Sequence, residues 1–356
     1  MSILDWIIFI VSALIFAASV LTVLHHVFFG LNHTNLNDRY FWGLNIQGFF
    51  VFSSIGAGML AVIAGFVIFW DVNSWVLQLS AKIAFSCLLS AMMLMGADLG
   101  KPFRVWRIIT GRNFASPLTL DFFCVIILAI LSFIFMFGIF MNIPIIFTLW
   151  AYVTLLVVIL CLIAHVLLFV LRKTSDTRVK SFEALNTVIC GLWAGMAVFV
   201  AVALTAGYGS LFINVLFILT FVVFASQVGC IMADILAGHK PHNLIVTGMS
   251  FIALALLAAR GLLLTEVWIN LWIVEMAICA LIVFTFVVEK FTMVIGHQNS
   301  PILPHPYNMY DDVKPYRPSF SEVGNLIAVL SLVVAATYAI IIVRAFILPF
   351  IIRQIF

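Results

Sequence analysis

Charged residues are scarce in this chain of 356 residues, at 9% of the sequence against 65% hydrophobic residues. A soluble domain of this length cannot cover so much apolar surface with polar side chains. We therefore expect a protein embedded in a lipid bilayer. The net charge of +3 is small, so the composition gives no indication of nucleic-acid binding.

The chain also lacks the cysteine pairs of the common metal-binding motifs. Its 6 cysteines all lie inside apolar runs, and none forms a Cys-x-x-Cys pair. The usual spacings for an iron–sulfur site, a zinc site or a disulfide scaffold are therefore absent, and we expect no metal. A b-type haem needs facing histidines at matched depth, and only His25 or His26 with His165 could supply such a pair.

Long apolar runs fill most of the sequence. A bilayer core of about 30 Å is crossed by about 20 helical residues. The first run has no basic residue before it and is too long for a signal-peptide core, so we expect it to remain as a helix. The sequence therefore predicts an all-α polytopic membrane protein with ten transmembrane helices, at residues 5–29, 42–70, 75–98, 117–141, 144–171, 183–206, 210–236, 244–264, 267–289 and 323–350.

Two distant stretches of the chain resemble each other. Residues 95–102 read MGADLGKP, and residues 232–241 read MADILAGHKP. About 40 residues before each of these Asp residues, the tripeptide AGM occurs at 57–59 and at 194–196, and the offsets between the two copies are 136 and 137 residues. Such a repeat predicts two similar four-helix bundles in the same orientation, with one helix added at each end of the chain.

The repeat divides the chain into four predicted parts. These are a first transmembrane helix and loop at 1–41, a first four-helix bundle at 42–172, a second four-helix bundle at 173–290, and a loop with the last transmembrane helix at 291–356.

The basic residues are distributed unevenly across the membrane. Ten spans place both termini on one side, and the opposite side, here named the loop side, receives 13 Lys and Arg residues against 3 on the termini side. Lys290 is counted on the loop side. The positive-inside rule would make that side cytoplasmic, but basic loops that dock an acidic partner would give the same count. The compartment of the loop side is therefore left open.

Several polar residues lie at the loop-side ends of the spans. Ionisable groups inside a membrane helix are costly, so each one needs a reason. Most lie within a turn or two of the helix end, and His165 lies about 9 Å below the same face. The group consists of Asn45, Gln47, Asp98, Asp121, His165 and Asp234. Asp98, Asp121 and His165 are the candidate catalytic residues among them, because their side chains can exchange protons.

Asp98 has two interpretations. It could form an ion pair at the water boundary with Lys101 or Arg104, three and six residues further on. It could instead accept protons from a bound quinol. A quinone head group needs hydrogen-bond partners at its two oxygens, an apolar slot and a titratable group, and Asp98, Asn45 and Gln47 with nearby aromatic rings could provide them.

Three charged residues lie in the termini-side half. Lys82 lies about 10 Å into the third span and Glu275 about 12 Å into the ninth, while Arg260 lies nearer the surface. Glu275 could pair with Lys82 or with Arg260, and Lys82 could also extend its ammonium group to the surface. Together with Asp234 they form a candidate proton path.

Three loop motifs resemble those of a known family. Residues 98–102, 104–106 and 116–118 read DLGKP, RVW and SPL, similar to the Asp-Leu-Gly-Arg-Pro, Trp and Ser-Pro-Met loop of the NrfD/PsrC membrane subunits. Residues 42–46 resemble the Trp-Gly start of the ten-helix branch, which includes Hmc-, Dsr- and alternative-complex-III-type subunits. Residues 316–322 resemble its Tyr-x-Pro-Ser/Thr-x-x-Glu motif.

The resemblance implies a quinone-interacting subunit of a respiratory oxidoreductase complex in a prokaryotic inner membrane. Such subunits carry no cofactor of their own, are not complete enzymes alone, and bind menaquinone or ubiquinone between helices of the first bundle. A ferredoxin-like iron–sulfur subunit docks on the loop that corresponds to 99–117. Further catalytic or multihaem cytochrome subunits and proton translocation are additional expectations.

The family's roles can be assigned to some residues of this chain and remain open at others. Asp98 would be the quinone-side carboxylate, with Lys101 and Arg104 beside the site. Lys101 stands where the family usually has Arg, which removes a bidentate fork. Gly56 stands where some relatives have His, so the second proton partner is open between Gln47 and Asp121.

Two other functions fit the composition. A secondary transporter with a site built from the repeat would show broken helices with polar residues at the membrane midplane, whereas the polar groups here lie toward the helix ends. A purely structural membrane anchor would need none of these polar residues for activity.

Overall fold

The computed structural model describes residues 3–31, 34–37, 40–70, 74–99, 110–111, 116–137, 143–170, 180–207, 209–236, 243–263, 271–299 and 316–342. Within these ranges the chain forms ten long α-helices and no strand, which confirms the predicted all-α membrane fold. The helices are α1 (Ile3–Phe29), α2 (Leu44–Phe69), α3 (Ser74–Asp98), α4 (Pro117–Met136), α5 (Pro144–Val170), α6 (Lys180–Thr205), α7 (Gly209–Leu236), α8 (Leu244–Leu263), α9 (Leu271–Asn299) and α10 (Phe320–Ile342).

Nine of these helices are long and apolar enough to cross a membrane, judged by length and composition. The shortest apolar stretch belongs to α8, at Leu244–Arg260. Proline occupies the first position of α4 and of α5, where its missing N–H costs no helical hydrogen bond.

The helix α2 is the central element of the fold. In its most apolar 18-residue window 72% of the residues are buried, against 11% for α1. It packs against α3, α4, α5, α6, α9 and α10. A helix that is apolar all round is expected in such a position, and its few polar side chains must find partners on neighbouring helices.

The helix contacts form two closed rings. In the first, α2 packs on α3, α3 on α4, α4 on α5 and α5 on α2; in the second, α6, α7, α8 and α9 follow the same order. The helices α1 and α10 pack mainly on each other and on α3. The division of the chain at 41, 172 and 290 stays a prediction.

The two rings meet where α2 crosses α6 at glycine. A Cβ atom on Gly195 would collide with the backbone of Gly58 and with the amide nitrogen of Met59, and a Cβ on Gly58 would collide with the carbonyl of Gly191. Helix backbones approach this closely in membranes only when small residues line the contact. The two AGM copies of the repeat therefore lie against each other, and packing accounts for their glycines.

The ninth helix differs from its predicted span. The sequence predicted an end near 289, but α9 continues to Asn299. Lys290 therefore lies inside the helix, 1% exposed, with Nζ 3.2 Å from Glu289 Oε2 and 5.1 Å from the centre of the Phe286 ring. The expectation that it lies in the loop after the ninth span was wrong, because a paired ammonium can remain within a helix bundle.

The last helix begins slightly earlier than predicted. It starts at Phe320, three residues before the predicted start at 323. Its predicted end near 350 lies outside the described residues.

We predict that Gly58→Ala destabilises the protein by about 2 kcal/mol, because the new methyl group must displace backbone of α6. The matched control is Gly65→Ala on the same helix, where a Cβ has no neighbour within 4 Å. Thermal unfolding of both variants in mild detergent checks this. Equal midpoints for the two variants would contradict the close crossing.

Candidate functional site

The N-terminus of α2 is held by the side chain of Glu322 at the start of α10. Glu322 Oε1 accepts hydrogen bonds from Tyr316 Oη at 2.6 Å and from the Leu44 amide at 3.2 Å. Its Oε2 accepts from the amide and the hydroxyl of Ser319, both at 2.9 Å. Ser319 and Glu322 thus form a capping box for α10, while the same carboxylate satisfies a free amide at the start of α2. The motifs at 42–46 and 316–322 are therefore parts of one contact.

Glycine is required at position 43 for this contact. A Cβ atom there would collide with Glu322 Oε1 and would lie 2.8 Å from Leu36 Cδ2 and 2.9 Å from Tyr316 Oη. Trp42 next to it exchanges two hydrogen bonds with Gln298 of α9, at 2.8 and 2.9 Å. The Trp-Gly pair therefore joins α2 to α10 on one side and to α9 on the other.

The phenol of Tyr316 stays protonated in this position. Burial raises the pKa of Tyr316, and its hydrogen bond to Glu322 raises that pKa further. A neutral phenol can donate to the carboxylate and accept from the Leu44 amide at 2.8 Å at the same time.

A chain of buried polar side chains begins beside this cap. Asn325 Nδ2 of α10 lies 2.9 Å from Nδ1 of His26 on α1 and 3.1 Å from Oδ1 of Asn45 on α2. All three side chains have 0% exposure. Since an amide nitrogen only donates, His26 Nδ1 and Asn45 Oδ1 both accept. The oxygen of Asn45 is thereby occupied, and its N–H groups are left for another partner.

The carboxyl group of Asp98 lies close to Asn45 and Glu322. In the described part of the chain, Asn45 Nδ2, Asp98 Oδ1 and Asn325 Oδ1 are buried atoms without a hydrogen-bond partner of good geometry. Such atoms are rare in native proteins. This place therefore brings an N–H donor and a carboxylate acceptor together in a buried position, where a polar head group between them could bond to both. Lys101 and Arg104, which the sequence placed at the same site, lie outside the described residues.

Gln47 lies on a different side of α2. It is 1% exposed, and within the described ranges both atoms of its amide lack a hydrogen-bond partner. Two residues along a helix turn the side chain by about 200°. Gln47 therefore does not share the position of Asn45 beside Asp98.

Asp121 and His165 form a separate cluster inside the first ring. Asp121 Oδ1 on α4 lies 3.1 Å from His165 Nε2 on α5 and accepts from Cys161 Sγ at 3.6 Å. The two ring nitrogens of His165 also contact Ser53 Oγ at 3.2 Å and Ser54 Oγ at 3.4 Å on α2. No contact among the described residues joins this cluster to Asp98. A proton exchange of Asp121 or His165 with quinone stays a prediction.

The termini-side half contains a buried ion pair. Arg260 Nε on α8 lies 2.5 Å from Glu275 Oε1 on α9, with 13% and 5% exposure. Lys82 is 6% exposed, so its side chain is buried rather than extended to the surface. Asp234 near the end of α7 is 5% exposed.

Two sets of buried polar contacts were not expected from the sequence. One is the pair His26 and Asn325, which join α1 and α10 to Asn45. The other lies in the second ring, where Asn186 Nδ2 on α6 donates to Glu289 Oε1 on α9 at 3.3 Å. Two features of the sequence could have indicated these contacts. Asn325 lies one turn after Glu322, and Glu289 and Lys290 are adjacent inside an apolar helix.

Comparison with known proteins gives a partial match to a reductase component. The chain is 29% identical over 94 residues to a Halobacterium salinarum protein named as a "putative dimethyl sulfoxide reductase membrane subunit", and the match covers 26% of this chain and 22% of that protein. The matched stretch therefore spans about a fifth of the relative's length. No protein-family model matches the chain. The likeness to a reductase membrane subunit supports the resemblance to the NrfD/PsrC family.

We predict that Arg260→Met or Glu275→Met alone destabilises the protein by about 3 kcal/mol, because each leaves a buried charge without its partner. The double variant should recover most of this loss, since two apolar side chains of similar volume replace the pair. Thermal unfolding of all four proteins measures the coupling. Strictly additive effects would show that the two groups do not interact.

Proposed function

We propose that this chain is the quinone-interacting membrane subunit of a respiratory oxidoreductase complex, and that the quinone head group binds at Asp98 and Asn45. The observation that carries the proposal is the pair of buried groups at this place. Asn45 Nδ2 offers an N–H donor and Asp98 Oδ1 offers an acceptor; the two side chains interact with each other, but neither atom makes a hydrogen bond of good geometry in the described part of the chain. A quinol hydroxyl and a quinone carbonyl need these two kinds of group.

The chemistry of Asp98 follows from its position at the end of α3. Oxidation of a quinol releases two electrons and two protons. A carboxylate in hydrogen-bond reach can take one of these protons from a hydroxyl group as the electrons leave, and the second proton would pass to water at this helix end. Asn45 can donate to the carbonyl oxygen that forms. The electrons would pass to an iron–sulfur subunit, and the reverse sequence would reduce a quinone.

The added helices α1 and α10 have a role in this proposal. Asn325 uses both N–H groups of its amide, one toward His26 and one toward Asn45. These bonds fix the orientation of the Asn45 amide, so that its nitrogen and not its oxygen is available to the quinone. His26 and Asn325 are therefore positioning residues.

The partner would dock on the loop side. The loop at 99–117 carries Lys101, Arg104, Arg107 and Arg112, and a basic loop attracts an acidic surface. We propose a ferredoxin-like iron–sulfur subunit there, with further catalytic or multihaem cytochrome subunits beyond it. The similarity to a protein named as a reductase membrane subunit supports this kind of assembly.

We also propose a path for protons through the membrane and a membrane in which the complex lies. Lys82, Glu275 and Asp234 are buried charged residues on α3, α9 and α7, and Arg260 on α8 is 13% exposed; we propose these four residues as parts of a proton path. Because respiratory quinones are dissolved in the membrane and the resembling NrfD/PsrC subunits are prokaryotic, we propose that the complex lies in the inner membrane of a prokaryote, with menaquinone or ubiquinone as the substrate.

We predict that Asp98→Asn reduces quinol oxidation by the purified complex at least about 100-fold, because the proton acceptor is lost. Reduction of the soluble subunits by artificial dyes should be unchanged. The control is Asp5→Asn, which removes the same charge from the first turn of α1 at the opposite membrane side.

Assembly is checked by measuring the amount of every subunit in each preparation. Unchanged quinone turnover in an assembled Asp98→Asn complex would remove Asp98 from the quinone site. A chain that purifies without any iron–sulfur subunit would favour the transporter hypothesis instead.

We predict that Asn325→Leu raises the KM for quinol about tenfold with a smaller change in kcat, because the Asn45 amide is no longer held in one orientation. Steady-state kinetics with a soluble quinol analogue measure both constants. Ser331→Ala is the control on the same helix, since its hydroxyl bonds to the carbonyl of Ala328 within that helix. A fall in kcat without a change in KM would argue against a positioning role.

A further inference from the structure

We propose that Asp121, Cys161 and His165 form a binding site for a divalent transition-metal ion of the zinc type. Cys161 and His165 lie four residues apart on α5, so their side chains share one face of the helix. Asp121 reaches the same place from α4. One donor atom from each residue lies within 4.8 Å of the other two. The proposal goes beyond the quinone function and does not depend on it.

The distances between the donors are close to those of a tetrahedral site. Zinc bonds are about 2.0–2.2 Å to nitrogen and oxygen and about 2.3 Å to sulfur, which places ligand atoms about 3.3–3.7 Å from each other. The observed separations are 3.1 Å from Asp121 Oδ1 to His165 Nε2 and 3.6 Å from Asp121 Oδ1 to Cys161 Sγ. Closing the remaining separation between Cys161 and His165 needs a side-chain adjustment of about 1 Å.

The charges in this cluster also suit a divalent cation. Asp121 and Cys161 have 0% exposure and His165 has 1%. A second carboxylate oxygen, Asp121 Oδ2, is buried without a hydrogen-bond partner in the described part of the chain. A buried carboxylate in a membrane bundle is stabilised by a positively charged partner. An ion of charge +2 would balance one carboxylate and one thiolate, leaving an uncharged site with neutral His165.

The neighbouring groups complete the site. Ser53 Oγ lies 3.2 Å from His165 Nε2 and can supply a fourth oxygen donor. Ser54 Oγ lies 3.4 Å from His165 Nδ1, so it can accept the ring N–H and orient the imidazole, as groups behind metal-bound histidines commonly do. The rings of Phe49 and Phe50 contact His165 edge-on at 6.1 and 5.3 Å between centroids. With Ser53 the four donors would close the tetrahedral coordination sphere, as four ligands do in structural zinc sites.

This site departs from the expectation that the chain binds no metal. That expectation considered only Cys-x-x-Cys spacings, whereas here the thiol and the imidazole are four residues apart. The third ligand comes from another helix, 40 residues earlier in the chain. An ion at this position would connect α4 and α5 to each other and, through Ser53, to α2.

The test is the metal content of the intact complex, purified without chelators from cells grown with zinc. We expect about one zinc per copy of this chain beyond the metal of the partner subunits. Cys161→Ser and Asp121→Asn should each lose most of this zinc. Cys87→Ser is the control, since Cys87 is a buried cysteine on α3 outside the cluster. A zinc-free wild-type complex, or zinc content unchanged in both ligand variants, would overturn the proposal.

A second measurement does not depend on the folding of the variants. Cobalt(II) is introduced into the wild-type protein during growth, and its absorption spectrum is recorded. Tetrahedral cobalt with one thiolate ligand gives a sulfur-to-cobalt charge-transfer band in the near ultraviolet and visible bands of four-coordinate cobalt. Cobalt that binds without the thiolate band, or no bound cobalt, would also overturn the proposal.

Discussion

The carboxylate of Glu322 joins segments that are almost 280 residues apart in the sequence, and the loop-side end of the first ring depends on it. It accepts hydrogen bonds from Leu44, Tyr316 and Ser319, which fixes the starts of α2 and α10 together. With both helices in this register, Asn325 lies opposite Asn45. Four donor groups on these three residues satisfy the carboxylate, and they stabilise its buried charge.

The low polarity of a membrane interior explains why the polar side chains occur in groups. A polar atom in this environment must find a partner on a neighbouring helix. Along α2, Asn45 accepts a hydrogen bond from Asn325, while Ser53 and Ser54 contact His165 about two turns further on. The same helix therefore serves two distinct clusters, one at the loop-side end beside Asp98 and one deeper in the first ring.

The repeat places different chemistry at similar positions. In each ring the first helix makes a buried polar contact with the last one, Ser53 with His165 in the first ring and Asn186 with Glu289 in the second. The first ring has an imidazole with a carboxylate and a thiol, and the second has a carboxylate with an ammonium group. The close crossing at Gly58 and Gly195 brings the rings together, but their inner side chains have diverged.

The sequence alone determined the fold class, most helix boundaries and the polar helix end at Asp98, because long apolar runs and polar residues at their ends are local signals. It could not determine which polar residues meet. His26 and Asn325 are separated by 299 residues, and Asp121 and Cys161 by 40. Only the tertiary packing of the helices decides such contacts, because a helical side chain finds its partners on whichever neighbouring helix its face turns toward, and hydropathy does not encode that direction in a helix that is apolar all round.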